Sequence, residues 1–236
     1  MDAENALTGK YEGFTQQHRM MGRAAAWAIF LLEVVYAVTT VLGLLSLKSP
    51  QDPIGDPFFT IMELLIVLMA PLMVVVMVAL HAYALPEAKA YSLTALVLMM
   101  LTAGITSGVH FVILAVSRQI ATLGLAGAPL FFSFKWPSVA YALDILAWDW
   151  FFALAMLFAA PVMKGGRLET AVRILMIASG VLSLAGLIGV PLQNMQVRNI
   201  GIMGYAVAAP VVFLLLGIAF GRARAVSGVH GTNCGS

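Results

Sequence analysis

Five ionisable residues stand inside long apolar stretches of this chain: Glu33, Glu63, His110, Asp144 and Asp149. A charged side chain at the centre of a bilayer costs roughly 2.5–3.5 kcal/mol on insertion scales, so each one needs a partner or a task. Carboxyls and an imidazole brought together suit proton transfer. Apolar surroundings favour the neutral carboxylic acid, which can donate a proton, while an imidazole or second carboxylate accepts one. Glu63, His110 and Asp144 are the expected inner set, with Glu33 and Asp149 as partners. Tyr36, Tyr141, Trp148 and Trp150 are expected to line the same pocket, where aromatic faces can stabilise a cationic intermediate.

Spacing groups these residues. Glu33, Tyr36 and Thr40 share one helical face, and Thr102, Thr106 and His110 form a stripe at intervals of four. Tyr141, Asp144 and Trp148 share another face. Such stripes turn inward, because lipid offers no hydrogen-bond partners. Asp149 is five positions from Asp144, about 140° round an α-helix, so it is expected to meet a different neighbour, Glu33. At about 1.5 Å rise per residue, Glu63, His110 and Asp144 all fall about 10 Å to one side of the bilayer midplane. Glu33 and Asp149 fall within about 3 Å of it.

The elements that must position them follow from composition. The chain has 236 residues, of which 61% are hydrophobic and 10% charged. A water-facing surface needs roughly 25% charged residues, so a soluble domain and a disordered chain are excluded. A net charge of +2 without a basic stripe excludes a nucleic-acid partner. A membrane-crossing helix needs about 20 apolar residues. Six segments qualify, at 22–47, 58–84, 91–116, 139–163, 170–192 and 201–220. The fold class is all-α: a polytopic bundle of six transmembrane helices, its first span retained rather than cleaved as a signal. Residues 1–21 form a polar segment, in which Leu7, Tyr11, Phe14 and His18 recur at helical spacing, as for a helix on the membrane surface or a frayed tail. Residues 22–220 form the transmembrane domain, and 221–236 a flexible tail.

Lys and Arg set the orientation. Lys10, Arg19, Arg23, Lys89, Lys164, Arg167, Arg173, Arg222 and Arg224 fall on one side; Lys48, Arg118, Lys135 and Arg198 fall on the other. Nine against four, of thirteen in all, places both termini in the cytoplasm of a multi-pass protein of the cell inner membrane. Arg118 and Arg198 stand at outer helix ends, where snorkelling suffices. His81 is expected near the opposite interface. Residues 117–138, rich in Phe and Trp, are an interface-hugging connector or a lid over a site that opens outward. Gly104 with Gly108, and Ser179 with Ser183 and Gly186, are small-residue steps for close helix packing. Pro71 and Pro210 tend to kink their helices.

In size and buried acids, though in no alignable motif, the chain resembles the small integral-membrane terpene cyclases. The resemblance implies a carboxylic acid acting on a lipophilic substrate. The expected function is therefore acid/base chemistry on such a molecule, of isomerase, cyclase or hydrolase type. The alternatives are a proton-coupled transporter, a small-molecule binding protein and a structural subunit of a membrane complex; the plainest reading is that the polar groups hydrogen-bond one another and hold the helices in register. No P-loop, GxGxxG or GxSxG occurs, and no cofactor is expected. One deep histidine, with no HxxxH or HExxH, gives no expectation of a metal. The lone Cys234 allows no internal disulfide. The expected partners are the bilayer and a lipophilic small molecule, with a homo-oligomer open.

Overall fold

The computed structural model describes residues 14–49, 52–117, 119–120, 124 and 127–223. Among them are six helices long and apolar enough to cross a membrane: α1 (Gln16–Leu45), α2 (Phe58–Tyr83), α3 (Pro86–Ser117), α4 (Val139–Val162), α5 (Arg167–Gly189) and α6 (Met195–Arg222). Each packs on the next in sequence, and α6 packs back on α1 to close a ring. Many outward residues, such as Leu31 and Val38 on α1, Leu68 on α2 and Val207 on α6, are apolar and exposed. The inward face holds the core. Helices apolar on both faces belong in a hydrocarbon solvent.

Local chemistry sets the helix ends. Thr15 and His18 form a reciprocal cap, each backbone N–H donating to the other's side chain at 3.3 Å, so α1 starts six residues before the expected Gly22. Residues 16–21 thus belong to the first helix rather than to a polar tail. Asn194 accepts from the N–H groups of Gln196 and Val197 at 3.0 and 3.2 Å, which starts α6 at Met195 instead of Gly201. Lys89 donates to the His81 carbonyl at 2.6 Å and covers the open end of α2. His81 itself meets the Ser92 hydroxyl at 2.8 Å.

Three helices contain a π-helical stretch: Ile113–Ser117 in α3, Leu146–Phe152 in α4 and Met203–Ala208 in α6. Such stretches re-aim side chains and recur at functional sites. The end of the ring that holds both termini is closed by aromatics. Phe14 is buried against Tyr83 and Phe220, with ring centroids 5.5 and 6.0 Å away. It is therefore not part of a surface-lying helix; Leu7 and Tyr11 lie outside the described residues, as do Arg118, Arg224, His230 and Cys234. Above this cap Met73, Met77, Met99, Phe152, Met156 and Phe213 fill the middle of the ring.

Small residues decide how close α5 and α6 come. A Cβ on Gly204 would stand 2.5 Å from the Ser179 carbonyl oxygen and 2.8 Å from the Ser183 nitrogen. The Ser179 hydroxyl donates to the Gly204 carbonyl at 2.9 Å. Ser179, Ser183 and Gly186 thus pack closely, as the spacing implies. Gly104 and Gly108 do not: a Cβ on either would meet nothing within 4 Å. They face an open groove instead of another helix. Replacing Gly204 with leucine should cost roughly 1–3 kcal/mol of stability through overpacking, seen as a lower melting temperature in detergent. Gly104→Leu should leave it unchanged or raised.

Candidate functional site

Three neighbouring helices deliver the relay. Glu63 stands five residues into α2, His110 seven residues before the end of α3, and Asp144 five residues into α4. All three lie toward the end of the ring opposite the termini. His110 Nδ1 is 2.7 Å from Oε2 of Glu63, a hydrogen bond between the ring nitrogen and the carboxyl group. On its other side Nε2 is 3.4 Å from Oδ1 of Asp144. That second contact is close but not aligned as a hydrogen bond, and both atoms are otherwise without one. The imidazole is clasped between two carboxyls, one per ring nitrogen. The Glu63 and His110 side chains are 4% and 5% exposed, whereas Asp144 keeps 14%. Asp144 is therefore the least enclosed of the three, although its Oδ1 is itself buried. Phe134, from the 117–138 connection, covers the imidazole with ring centroids 4.9 Å apart.

A second polar cluster adjoins the first. Arg198 donates to Asp149 at 3.1 Å and to the Tyr141 hydroxyl at 3.3 Å. Its guanidinium also lies over the Tyr141 and Tyr205 rings, 5.1 and 5.9 Å from their centroids. Asp149 and Arg198 are 0% and 2% exposed. The other Asp149 oxygen rests against the backbone of Gly186 and Gly201, where side chains would not fit. Small residues on α5 and α6 thus make room for this carboxylate. Asp144 lies within electrostatic reach of Tyr36, Tyr141, Asp149, Arg198 and Tyr205, so it joins both clusters.

No family model matches this sequence, and comparisons with curated proteins and with solved structures return no match. The site is therefore read from its own geometry.

That geometry revises four expectations. Asp149 pairs with Arg198 rather than with Glu33. Arg198 does not snorkel at a helix end; it turns into the ring, because α6 starts early enough to aim it inward. The 140° separation of Asp144 and Asp149 assumed α-helical winding. The π-helical 146–152 stretch, with its i to i+5 pattern, brings residues five apart toward the same side. Trp150 is 43% exposed on the outside of the bundle, so it does not line the polar interior. Trp148 does face inward, against Tyr205 at 5.3 Å. On α1, Tyr36 reaches Glu63 and Asp144 electrostatically, while Oε2 of Glu33 is enclosed without a hydrogen bond. Thr102 and Thr106 are fully buried beside His110 on α3. The residues that sequence reasoning missed are Arg198 and Tyr205. The signal for Arg198 was Asp149 itself, a mid-helix acid that needed a cation.

Among the described residues no group of three or more His, Cys, Asp or Glu side chains is arranged to hold a metal ion. His110 stands between its carboxyls instead of converging with them on a point. Beside the relay runs a groove of about 410 Å³ between α3 and α4. Gly104, Gly108, Val109, Ala140 and Leu143 form its walls, under Phe131 and Phe132. His110 and Asp144 are not in its lining; their chain neighbours Val109 and Leu143 are, one residue step or about 100° round each helix.

Arg198→Met strands Asp149 in the interior and should cost about 3–5 kcal/mol, the price of breaking one partner from a buried ion pair. Adding Asp149→Asn to that variant should recover part of the loss. Thermal unfolding of the purified proteins in detergent measures both.

Proposed function

We propose that this is a multi-pass protein of the cell inner membrane, with both termini in the cytoplasm, that performs carboxylic acid/base chemistry on a lipophilic small molecule. The observation that carries the reading is the Glu63–His110–Asp144 cluster, with Asp144 its least enclosed member. Glu63 accepts the Nδ1–H bond and so fixes the ring orientation and tautomer, leaving Nε2 toward Asp144. Asp144 gives a proton to one substrate atom, and the Asp144–His110 pair takes a proton from another. The sum is an isomerisation or cyclisation with no net proton gained or lost; hydrolysis is the variant in which water supplies the second group. A buried imidazole held on both sides keeps its geometry through the cycle, which is the preorganisation such chemistry needs.

The apolar groove between α3 and α4, roofed by Phe131 and Phe132, supports entry sideways from the bilayer. Asp149 and Arg198 are fully enclosed, which supports a positioning role: they tie α4 to α6 and hold Tyr141 beside Asp144. The nearly apolar layer from Met73 to Phe213 supports a site with one mouth.

The protein in nanodiscs, incubated with total membrane lipid extract, should convert a lipid species detectable by chromatography and mass spectrometry, including conversion without change of mass. Asp144→Asn and Glu63→Gln should each lower that conversion by about 10²–10⁴-fold, the usual contribution of a positioned acid or base. Both should keep wild-type helical circular dichroism. If Glu63→Gln lowers only the melting temperature and leaves conversion intact, the acid is structural. If the wild type converts nothing, the chemical reading fails.

A further inference from the structure

Both polar clusters are closed off. Oδ1 of Asp144 and Nε2 of His110 are enclosed against each other, and Asp149 and Arg198 are buried. The groove between α3 and α4 ends at Val109 and Leu143, one residue step short of the cluster. Chemistry at these atoms therefore needs a part of the protein that opens. The helices are held in place by the contacts to the imidazole, by the Arg198 pair and by the buried Met and Phe layer.

The segment that leads into α4 is held differently. Residues 128–137 make one helical turn, Ala128–Phe131, and then a short strap. The Leu130 and Phe132 N–H groups donate to the Gly127 and Ala128 carbonyls at 3.1 and 3.0 Å. The Ser133 hydroxyl donates to the Pro129 carbonyl at 2.7 Å, and the Ser138 hydroxyl to the Ser133 carbonyl. Among the described residues, these bonds all end within 127–138, and none ties the strap to another helix. Side chains alone hold it down. Phe132 and Phe134 pack on Val109, Ile113 and Ala140. Phe134 lies over the His110 ring, and Trp136 meets Tyr141 edge-on with ring centroids 6.4 Å apart. Two aromatic residues, two positions apart, thus cover one cluster each. Segments with few apolar contacts to the body and no hydrogen bonds to it open at low free-energy cost.

We propose that residues 128–137 are a lid over both clusters, latched by Phe134 and Trp136, which lifts to admit a molecule to His110, Asp144 and Tyr141. This rests on the reading of the cluster as a chemical site and names how that site is reached. Val109 and Ala140 line the groove and also lie under the strap. Lifting Phe132 and Phe134 off them joins the groove to the cluster. Ser138 is the hinge: it accepts from the Tyr141 N–H at 3.1 Å as the cap of α4 and holds the Ser133 carbonyl on the other side. The strap therefore moves as one piece about the start of α4. Closed again, it keeps water from the carboxyls during the reaction.

The test is cysteine labelling of the full chain in nanodiscs, with the native Cys234 changed to Ser. The probe is a permanently charged methanethiosulfonate, which stays in water and reacts with thiolates. Mass spectrometry follows the labelled fraction with time. Lys135→Cys, on the exposed side of the strap, should react at once. Ala95→Cys in the core and Gly108→Cys in the groove should not react. Ala140→Cys, beneath the strap, should react to completion but more slowly than Lys135→Cys. Adding Phe134→Ala should speed it about 10-fold, the weight of one lost aromatic contact. Phe134→Leu should speed it less, and decides alone if Phe134→Ala does not fold. Labelling of Ala140→Cys only when Ala95→Cys also labels would mean that unfolding exposes both, and would overturn the lid. A rate unchanged by either Phe134 variant would overturn it too. Gly108→Cys reacting as fast as Ala140→Cys would make the groove the route instead. The labelling uses no substrate, so the lid can fall while lipid conversion by the wild type stands. A wild type that labels as expected and converts nothing keeps the lid and loses the chemistry.

Discussion

An ion surrounded by hydrocarbon must be answered by another group of the same protein. Here that constraint governs the ring of helices. Glu63, His110 and Asp144 come from three consecutive helices, and the 2.7 Å and 3.4 Å contacts to the imidazole fix their relative rotation. Turning any one helix by a single residue step would carry its ionisable group about 100° away, toward the outer apolar face. Arg198 does the same for α4 and α6. The polar contacts need not add much net stability to select one register, because the competing registers leave a charge without an answer.

The small residues serve the same end. Asp149 fits only because Gly186 and Gly201 carry no side chains, and Gly204 lets α5 and α6 come close enough to hold Arg198 over Tyr141. Close packing and charge pairing are one arrangement here. The glycines on α3 have the opposite use. Gly104 and Gly108 meet no neighbour and widen a groove, so the same residue type at the same spacing makes contact on one helix and space on another.

That difference marks the limit of what the sequence discloses. Six apolar segments are legible because hydrocarbon thickness sets their length. The common depth of Glu63, His110 and Asp144 is legible because helical rise is constant, and the inward turn of the Thr102–Thr106–His110 stripe follows from its period. Arg198 was not legible. A basic residue just outside an apolar run fits headgroup snorkelling equally well, and only the Asn194 cap, seven residues ahead of the apolar stretch, decides that it lies within a helix. The π-helical turn through Asp149 was hidden for a related reason. Periodicity assumes 3.6 residues per turn, and an inserted residue changes every facing beyond it without altering composition. Trp150 is the visible casualty, since it stands beside a buried acid in sequence and on the far side of the helix in space.

Whether such a polar layer suits chemistry or passage depends on what closes the ring around it. Toward the termini Met73, Met77, Met99, Phe152, Met156 and Phe213 fill the ring, and below them Phe14, Tyr83 and Phe220 stack across its end. A transported molecule would have to part both layers, and the proton accompanying it would find no polar group among these side chains short of His81 at the end of α2. Methionines can repack, so the layer is not rigid in principle, yet repacking supplies space and no proton acceptor. On the opposite side the relay lies beneath Phe134 and next to a groove between α3 and α4. An apolar seal on one side therefore fits the proposed chemistry better than passage through the ring.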